Sequence, residues 1–186
     1  MKKKAAERVE TERLILRRPT VHDAAAVFAR YASDVEVSRY LAWQLHQSAD
    51  MTRAFLEFSD TEWNRWPAGP YLIESREDGR LLGGTGLSFE TPYRASTGYV
   101  LAKDSWGMGY ATEAVRAMVE VSQGLEVVRL YAICHVDHRK SARVLEKTGF
   151  ACEGILKRYL EFPNLAPGSP SDVYCYARLF GEEAGS

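Results

Sequence analysis

The segment of residues 98–121 constrains the fold of this chain more than any other stretch of its sequence. Residues 98–102 form a short apolar run of β-forming character, which predicts a strand. Farther on, apolar residues recur at the spacing of one buried helix face, at Ala111, Ala114, Val115, Met118 and Val119. Gly107 and Gly109 lie between the predicted strand and the predicted helix. The chain therefore contains a strand whose end leads through an open turn into the start of a helix.

The turn before this helix has the character of an anion-binding site. Glycine has no Cβ, so a ligand can approach the backbone closely. The first N–H groups of a helix lack intrahelical partners and lie at the positive end of the helix dipole, which suits a phosphate or pyrophosphate. This glycine turn, residues 107–112, lacks the Lys-Ser/Thr ending of a P-loop, and Thr112 replaces the third glycine of a dinucleotide fingerprint. We therefore do not expect the phosphate of a nucleoside triphosphate or of NAD.

The same segment resembles the acyl-CoA-binding motif of the GNAT superfamily of N-acyltransferases. The residues that carry the resemblance are Gly98 and Tyr99, followed by Trp106, Gly107, Met108, Gly109, Tyr110, Ala111, Thr112, Glu113 and Ala114. Residues 141–150, SARVLEKTGF, are similar to the next motif of that superfamily. With residues 11–17, TERLILR, the pattern most resembles the RimJ/RimL branch, whose members acetylate protein N-termini, including those of ribosomal proteins. The resemblance extends over residues 10–179.

The order of the predicted elements agrees with the fold that this resemblance implies. Helices come first, followed by a hairpin, then strand, helix, strand, helix and two further strands. This order predicts an α/β (α+β) sandwich built on one sheet of about six or seven strands. The resemblance implies the GNAT-like acyl-CoA N-acyltransferase fold, a central mixed, mostly antiparallel sheet flanked by helices, with its central strands splayed at one end. We expect one N-acetyltransferase domain over residues 10–180, with tails over residues 1–9 and 181–186.

Composition and charge exclude several functional classes. The formal net charge of −1 argues against nucleic acid as a partner, because phosphate backbones select basic surfaces. No apolar run is long enough for a membrane span, or for a signal peptide behind the opening lysines. The three cysteines, Cys134, Cys152 and Cys175, have neither zinc spacing nor close pairs, which predicts free thiols in a reducing compartment. We expect a cytoplasmic protein that uses no metal.

The first third of the chain is predicted to contain helices that carry aromatic residues. Thr20 and Asp23 have the spacing of a capping box, and Ser48 is expected to cap a later helix. The apolar stripe of that later helix comprises Met51, Phe55 and Phe58. By resemblance, these helices cover the acceptor side of the cleft. The aromatic residues of the region belong either to the core or to the acceptor pocket, and we expect the pocket to include some of Tyr40, Trp43, Trp63 and Trp66.

A glycine-rich strand is predicted to follow a tight turn. The dipeptide Asp78-Gly79 predicts a hairpin. The returning strand, residues 81–89, contains Gly83, Gly84 and Gly86. Because glycine weakens a strand, its presence there predicts a bulge or a close approach of another backbone.

The resemblance implies acetyl-CoA as the co-substrate and assigns the residues that hold it. The pantetheine arm is expected to lie in the splay and to bond to main-chain groups of Tyr99, Val100 and Leu101, because an open strand edge leaves N–H and C=O groups unpaired. The pyrophosphate is expected on the backbone of the glycine turn. The binding residues there are Trp106, Gly107, Met108, Gly109, Tyr110, Ala111 and Thr112. Ser141 and His138, which stands where many members of the branch have a cofactor-contacting Asn, complete the predicted site.

Catalysis is expected to depend on the alignment of a free amine with the thioester. The N–H of Leu101 is expected to polarise the thioester carbonyl, as the donor of an oxyanion hole. Ser141 is the candidate that hydrogen-bonds the departing thiol, and a hydroxyl that only serves the helix entry is the alternative. Glu113 is expected to be structural, because its charge suits the N-terminal end of the helix dipole.

The general base is harder to assign from the sequence. Many members of the superfamily carry a carboxylate where this chain has Ser96 and Thr97, and neither hydroxyl is a useful base. The remaining candidates near the cleft are Glu90, which we place first, Glu74 and His135. A chain of water molecules fits the sequence equally well.

The resemblance therefore implies an acetyl-CoA-dependent N-acetyltransferase that acts by direct attack of a primary amine, with a protein N-terminal α-amine as the expected acceptor. A small amine or an antibiotic is an alternative acceptor within the enzyme class. A non-catalytic acyl-CoA-binding module is the alternative from another class, favoured by the missing carboxylate and by His138. Members of the branch are often homodimers, but no residue of this sequence indicates the oligomeric state.

Overall fold

In the computed structural model, which describes residues 3–181, eight strands form a single mixed sheet. The strands are β1 (Arg8–Glu10), β2 (Leu14–Arg17), β3 (Pro70–Ser75), β4 (Leu81–Thr91), β5 (Arg94–Leu101), β6 (Arg129–His135), β7 (Ala151–Glu161) and β8 (Pro170–Leu179). Their order across the sheet is β1-β2-β3-β4-β5-β6-β8-β7. Within the described residues only β5 and β6 pair in parallel. The mixed, mostly antiparallel sheet is confirmed, with one strand more than the sequence predicts.

The additional strand is β1, at one edge of the sheet. Its three residues are mostly exposed and too few to show a period-two pattern, so the sequence gives no strand signal there. The chain before it also packs on the domain, because the hydroxyl of Tyr71 donates to the carbonyl oxygen of Ala6 (2.8 Å). The residues just before residue 10 are therefore held by the sheet and do not form a free tail. Residues 1–2 and 182–186 of the predicted tails lie outside the described residues.

Five α-helices flank the sheet in the described part of the chain. They are α1 (Ala24–Val27), α2 (Val35–Ser38), α3 (Ala49–Arg65), α4 (Tyr110–Gly124) and α5 (Arg139–Lys147). The predicted capping box is present, with the N–H of Thr20 donating to Asp23 Oδ2 (2.8 Å). Ser48 caps α3 as predicted, accepting from the N–H of Met51. Over residues 3–181, none of the helices combines the length and the apolar character that crossing a membrane requires.

The two central strands β5 and β6 pair at one end and separate at the other. Their parallel pairing covers only the first three residues of each strand, although both strands continue beyond it. β6 is meanwhile paired along its whole length with β8. A wedge-shaped gap, the splay, therefore opens between the C-terminal ends of β5 and β6, as the resemblance implies.

Apolar clusters on the two faces of the sheet fix the helices that border the splay. The larger cluster contains Val115 and Met118 of α4 together with Leu130 of β6, all fully buried. The smaller cluster, around α1, contains Val27 and Leu72. Because α4 is anchored in the larger cluster, the glycine turn that precedes it is held just beyond the C-terminal end of β5.

The glycines of β4 mark a close approach between β4 and β5, as predicted. A Cβ placed on Gly83 would lie 2.0 Å from the carbonyl oxygen of Val100 and 2.9 Å from the Cα of Leu101. Both atoms belong to the backbone of β5, which cannot move aside as the end of a flexible side chain does.

We expect Gly83→Ala to lower the free energy of unfolding by at least about 1–3 kcal/mol, because the added methyl group overpacks the β4–β5 ladder. Gly98→Ala in β5 is the matched control, since nothing lies within 4 Å of its Cβ position. That control is expected to leave stability unchanged or slightly raised, because alanine restricts the unfolded chain. Chemical denaturation of both variants measures the difference, and equal midpoints would contradict the close approach.

Candidate active site

The glycine turn has the backbone shape that an anion site requires. Gly107 and Gly109 have φ angles of +77° and +81°, in the left-handed region that favours glycine. Gly109 is the N-cap of α4, and its carbonyl oxygen accepts the first helical bond, from the N–H of Glu113 (3.1 Å). The N–H groups of Tyr110, Ala111 and Thr112, which lie between Gly109 and Glu113, have no partner within the helix. These groups lie at the positive end of a 15-residue helix, so the turn can bind a phosphate through its main chain.

Arg13 braces this turn against the β1–β2 connection. Its Nη1 donates to the carbonyl oxygen of Met108 (2.9 Å), and its Nε donates to Glu113 Oε2 (2.8 Å). Glu113 also accepts from the hydroxyl of Thr11 (2.6 Å). Burial acts to raise the pKa of Glu113, but the hydrogen bonds from Thr11 and Arg13 outweigh it and leave that pKa below its ordinary value. Glu113 is therefore structural, as predicted, and it fixes the turn in place.

The edge of β5 that faces the splay presents alternate main-chain groups. The N–H of Ala102 donates to Leu82 in β4 (2.8 Å), so the alternation of an antiparallel ladder turns the groups of Val100 toward β4. The same alternation turns the N–H and C=O groups of Tyr99 and Leu101 toward the splay. The predicted main-chain role of Val100 is therefore wrong, because its backbone is already paired with β4, although Val100 is one of the residues that line the cavity.

Leu101 and Trp106 are joined at the mouth of the splay. The indole N–H of Trp106 donates to the carbonyl oxygen of Leu101 (2.9 Å), which occupies that acceptor. The N–H of Leu101 remains directed into the splay, but Leu101 does not line the cavity, whereas Tyr99 does. Tyr99 is thus the deeper of the two main-chain positions, and Leu101 is the one nearer to the glycine turn.

A cavity of about 700 Å³ continues from the splay to the helices on the other side of β5. The residues that line it at the splay include Tyr99, Ala132, Ile133, Cys134, His138 and Ser141. The residues that line it at the helical end include Tyr40, Trp43, His46, Phe55, Phe58 and Phe162. No Asp, Glu, Lys or Arg in the described part of the chain lines this cavity. It is therefore a largely apolar chamber whose polar groups are hydroxyls, a thiol and imidazoles.

Ser141 is the centre of a small polar cluster in the wall of the splay. It lies in the first turn of α5, is 9% exposed, and lies close to the side chains of Tyr99 and Cys134. Burial raises the pKa of Tyr99, and burial raises the pKa of Cys134 to about 11. Both groups therefore keep their protons at neutral pH, and the cluster can donate a hydrogen bond into the cavity.

His138 lines the cavity one turn before Ser141. Its ring is stacked on Tyr40, with 4.6 Å between the ring centroids and 16° between the planes. Burial lowers the pKa of His138, and the neighbouring Lys140 and His135 act in the same direction. The imidazole is therefore neutral at pH 7 and has a free lone pair. The predicted position of His138 beside the cofactor channel agrees with this geometry.

The structure keeps the predicted base Glu90 away from the cavity. Its carboxylate forms an ion pair with Arg94 (2.6 Å) and accepts a hydrogen bond from Tyr131. These residues lie where β5 and β6 are still paired, at the closed end of the splay. Glu90 therefore does not face an acceptor amine there, and the sequence could not reveal this because the closed end is defined by strand pairing.

The other two base candidates are also engaged elsewhere. Glu74 accepts from Arg17 Nε (2.8 Å) and does not line the cavity. His135 is buried against Phe162 and accepts from the N–H of Asp137 through Nδ1 (3.1 Å). Ser96 and Thr97 do line the cavity, but only as hydroxyls. Over residues 3–181, no three His, Cys, Asp or Glu side chains are grouped to hold a metal ion.

The four aromatic residues considered from the sequence divide between pocket and core. Tyr40 and Trp43 line the cavity. Trp63 is 1% exposed and donates its indole N–H to the carbonyl oxygen of Pro70 (2.7 Å). Trp66 is stacked on Phe89, with ring centroids 5.7 Å apart. The expectation that some of the four shape the acceptor pocket therefore agrees with the geometry for Tyr40 and Trp43.

Comparison with known proteins gives one family and a consistent set of relatives. The family model described as acetyltransferase (GNAT) domain matches residues 13–151. The chain is 32% identical over 177 residues to the uncharacterized N-acetyltransferase YoaA of Bacillus subtilis (strain 168), covering 91% of this chain and 94% of that protein. It is 29% identical to the uncharacterized N-acetyltransferase p20 of Bacillus licheniformis, covering 96% of this chain and 99% of that protein.

Solved structures share the fold at lower identity. One is RimL, a ribosomal L7/L12 alpha-N-protein acetyltransferase in complex with coenzyme A, with a TM-score of 0.80 and 24% identity over 93% of this chain and 98% of that chain. Another is the microcin C7 self-immunity acetyltransferase MccE in complex with acetyl-CoA and AMP, with a TM-score of 0.79 and 20% identity over 91% of this chain and 94% of that chain. A third is RimJ of Mycobacterium smegmatis in complex with a CoA disulfide, with a TM-score of 0.78 and 23% identity over 90% of this chain and 82% of that chain.

Proposed function

This chain belongs to the GNAT acetyltransferase family, and from that premise we propose that it transfers an acetyl group from acetyl-CoA to a primary amine, with a protein N-terminal α-amine as the principal acceptor. The single observation that carries the proposal is a row of main-chain donors along the splay, which we take as the cofactor channel. It begins at the glycine turn, follows the unpaired edge of β5 and ends beside Ser141. The structures of RimL with coenzyme A and of MccE with acetyl-CoA support the same cofactor.

Each portion of acetyl-CoA has a matching part of this channel. The diphosphate binds the main-chain N–H groups of residues 107–112, as predicted for Gly107 through Thr112. Positive charge beside the turn favours it, since Lys140 Nζ lies 5.9 Å from the centre of the Trp106 ring. The pantetheine arm bonds to the N–H of Leu101 and then to the main chain of Tyr99, as an added strand would. The sulfur reaches Ser141, because Ser141 lies beside Tyr99 in the cavity wall.

The transfer proceeds by direct attack within the cavity. The lone pair of a neutral amine forms a C–N bond to the thioester carbon, and the C–S bond then breaks to release the thiolate. The N–H of Tyr99 polarises the thioester carbonyl, because Tyr99 is the deeper of the two main-chain donors. The sequence predicts this role for Leu101. The thiolate accepts a hydrogen bond from Ser141 and takes its proton from water through that hydroxyl, so that the serine gives up one proton and receives another in the same step. The proton lost by the amine goes to His138 or to solvent.

His138 is the titratable side chain best placed to accept that proton. It lines the cavity beside Ser141, it is neutral at pH 7, and no carboxylate in the described residues lines the chamber. We expect log(kcat/KM) to fall with slope one below the pKa of the acceptor amine, and to steepen to slope two at acidic pH, below the ordinary pKa of a histidine, where His138 gains a proton. The sign follows from its lowered pKa, because only the unprotonated imidazole can act as a base.

His138→Asn should remove the steeper limb and lower kcat/KM at pH 7 at least about 10-fold, since water then replaces the imidazole. The variant keeps a polar side chain against Tyr40, so binding of acetyl-CoA should change little. A steady-state pH profile with one peptide acceptor measures both effects. An unchanged profile in His138→Asn would assign the proton to water alone.

Thiol release from acetyl-CoA in the presence of an amine tests the proposed function itself. We expect release with a peptide that has a free α-amine, and a product whose mass has increased by one acetyl group. The matched control is the same peptide with a blocked N-terminus and one internal lysine, which should react far more slowly. Tight binding of coenzyme A without thiol release from any amine would contradict the transferase activity and support a binding module.

A further inference from the structure

We infer that the preferred acceptor is an amine attached to an uncharged, apolar group of aliphatic or aromatic character, and that polycationic or acidic acceptors are disfavoured. This inference rests on the proposed function, and it concerns the helical end of the same cavity. A peptide that begins with a large apolar residue and a small arylalkylamine share this chemistry. The experiment below distinguishes the two sources.

The walls at the helical end are aromatic and neutral. Tyr40 and Trp43 line the cavity. The centroid of the His46 ring lies 4.9 Å from that of the Trp43 ring and 6.4 Å from that of the Phe55 ring. His46 Nδ1 is hydrogen-bonded to the hydroxyl of Thr52 (2.8 Å), and burial lowers the pKa of His46. The histidine therefore adds an uncharged ring to the wall. Such a surface stabilises apolar groups roughly in proportion to the area they bury.

The absence of charge from the lining sets the second condition. No carboxylate among the described residues faces the cavity to pair with an ammonium group, and no Lys or Arg faces it to pair with an acid. A polyamine would have to bring further charges into the chamber without a partner, which is strongly unfavourable. The same environment activates the reacting amine, because desolvation lowers the pKa of its ammonium form and so increases the fraction of neutral, nucleophilic amine. An apolar chamber thus promotes the deprotonation for which no carboxylate is present.

The walls are fixed in place before any acceptor binds. Asn164 donates through Nδ2 to the carbonyl oxygens of Ser38 (2.9 Å) and Trp43 (2.8 Å). Its Oδ1 accepts from the N–H of Leu45 (2.8 Å). The segment that carries Tyr40 and Trp43 is therefore tied to the β7–β8 connection. A preformed pocket loses less conformational entropy on binding, which sharpens its selectivity.

An exposed apolar stripe on α3 continues the same surface outward. Met51, Phe55 and Phe58 recur at spacings of four and three residues, and they are 38%, 37% and 58% exposed. Phe55 and Phe58 also line the cavity, so the stripe borders its mouth. Contiguous apolar surface at the mouth of a pocket is typical of a binding surface. The acceptor is therefore apolar where it enters the chamber as well as where it reacts.

The test compares acceptors that differ only in the group beside the amine. Peptides beginning with Phe or Leu should show kcat/KM about 10- to 100-fold above otherwise identical peptides beginning with Asp or Lys, as expected for burying one large apolar side chain. In a second arm, phenethylamine should exceed spermidine by a similar factor. A higher kcat/KM for the apolar peptide than for phenethylamine indicates an N-terminal source of the apolar amine, and the reverse indicates a small-molecule source. In both cases, preference for the apolar acceptor within each arm supports the inference.

Phe55→Asp provides a specificity change that folding defects cannot imitate. Phe55 is partly exposed, so the variant should fold, and the new carboxylate should raise kcat/KM for spermidine relative to phenethylamine at least about 10-fold. Tyr93→Asp is the matched control, because Tyr93 is 57% exposed and does not line the cavity. That control should leave the preference unchanged.

The outcomes separate this inference from the proposed function. If charged and apolar acceptors release thiol at equal rates, the inference is wrong and the transferase activity stands. If Phe55→Asp leaves the preference as it was, the helical end of the cavity does not contact the acceptor, and the inference is again wrong. If no amine of either kind causes thiol release, the proposed function fails first.

Discussion

Gly109→Val should weaken the binding of acetyl-CoA about 100-fold while leaving the sheet and its helices folded. Gly109 has φ +81°, and a side chain in this left-handed region costs about 1–3 kcal/mol. The Cβ would also lie 3.4 Å from Nη2 of Arg13, the residue that braces the turn. The turn can escape the strain only by changing its backbone, and the N–H groups then no longer point at one anion. Titration calorimetry with coenzyme A measures the loss.

Gly79→Val is the control that isolates strain from binding. Gly79 has φ +69°, nothing lies within 4 Å of its Cβ position, and it occupies the β3–β4 hairpin turn. It therefore carries a similar left-handed penalty at a place that does not touch the proposed cofactor. We expect both variants to lose similar stability and only Gly109→Val to lose affinity. Equal affinities for coenzyme A in the two folded variants would show that the diphosphate does not bind at the glycine turn.

Ser141→Ala should lower kcat about 100-fold or more and should change the Kd of acetyl-CoA little. A loss of about 100-fold is the lower limit of the range expected when a positioned proton donor is removed. Ser141 is the hydroxyl that lies beside Tyr99 and Cys134 in the wall of the splay. Without it the leaving thiolate must take its proton directly from water. Stopped-flow measurement of thiol release separates this chemical step from binding.

Ser122→Ala serves as the matched control for the serine. Ser122 is fully buried, and its hydroxyl donates to the carbonyl oxygen of Met118 within α4 (2.7 Å), away from the cavity. It should change stability but not kcat. A Tyr99→Phe variant should show a smaller loss than Ser141→Ala, because it removes only a hydroxyl beside the serine and leaves the serine itself. A normal kcat in Ser141→Ala would reduce Ser141 to a helix-entry hydroxyl.

Local features of this protein could be predicted from the sequence because their causes are local. The helix Arg139–Lys147 has the predicted bounds, because the signals that set them lie within or next to the helix. These signals are the spacing of its apolar residues and the left-handed Gly149 (φ +82°) that follows it. The glycine turn is likewise a matter of two glycines and a helix start. The central splay followed from the resemblance to a family and not from the pattern of residues alone.

Features that depend on distant pairing could not be predicted. Arg13 and Glu113 are 100 residues apart, and no spacing rule joins them. The main chain of Val100 faces β4 because of the β4–β5 register, which only the paired strands define. Glu90 lies at the closed end of the splay for the same reason. The apolar character of the acceptor end was also beyond the sequence, because it depends on which of many aromatic residues converge on one cavity.

A crystal structure of the protein with bound coenzyme A tests the central claim most directly. Diphosphate oxygens within hydrogen-bond distance of the N–H groups of residues 107–112, a pantetheine amide on Leu101 or Tyr99, and a sulfur atom beside Ser141 are the predicted result. A coenzyme bound elsewhere, with the glycine turn free of the diphosphate, would contradict both the channel and the transfer mechanism that is built on it.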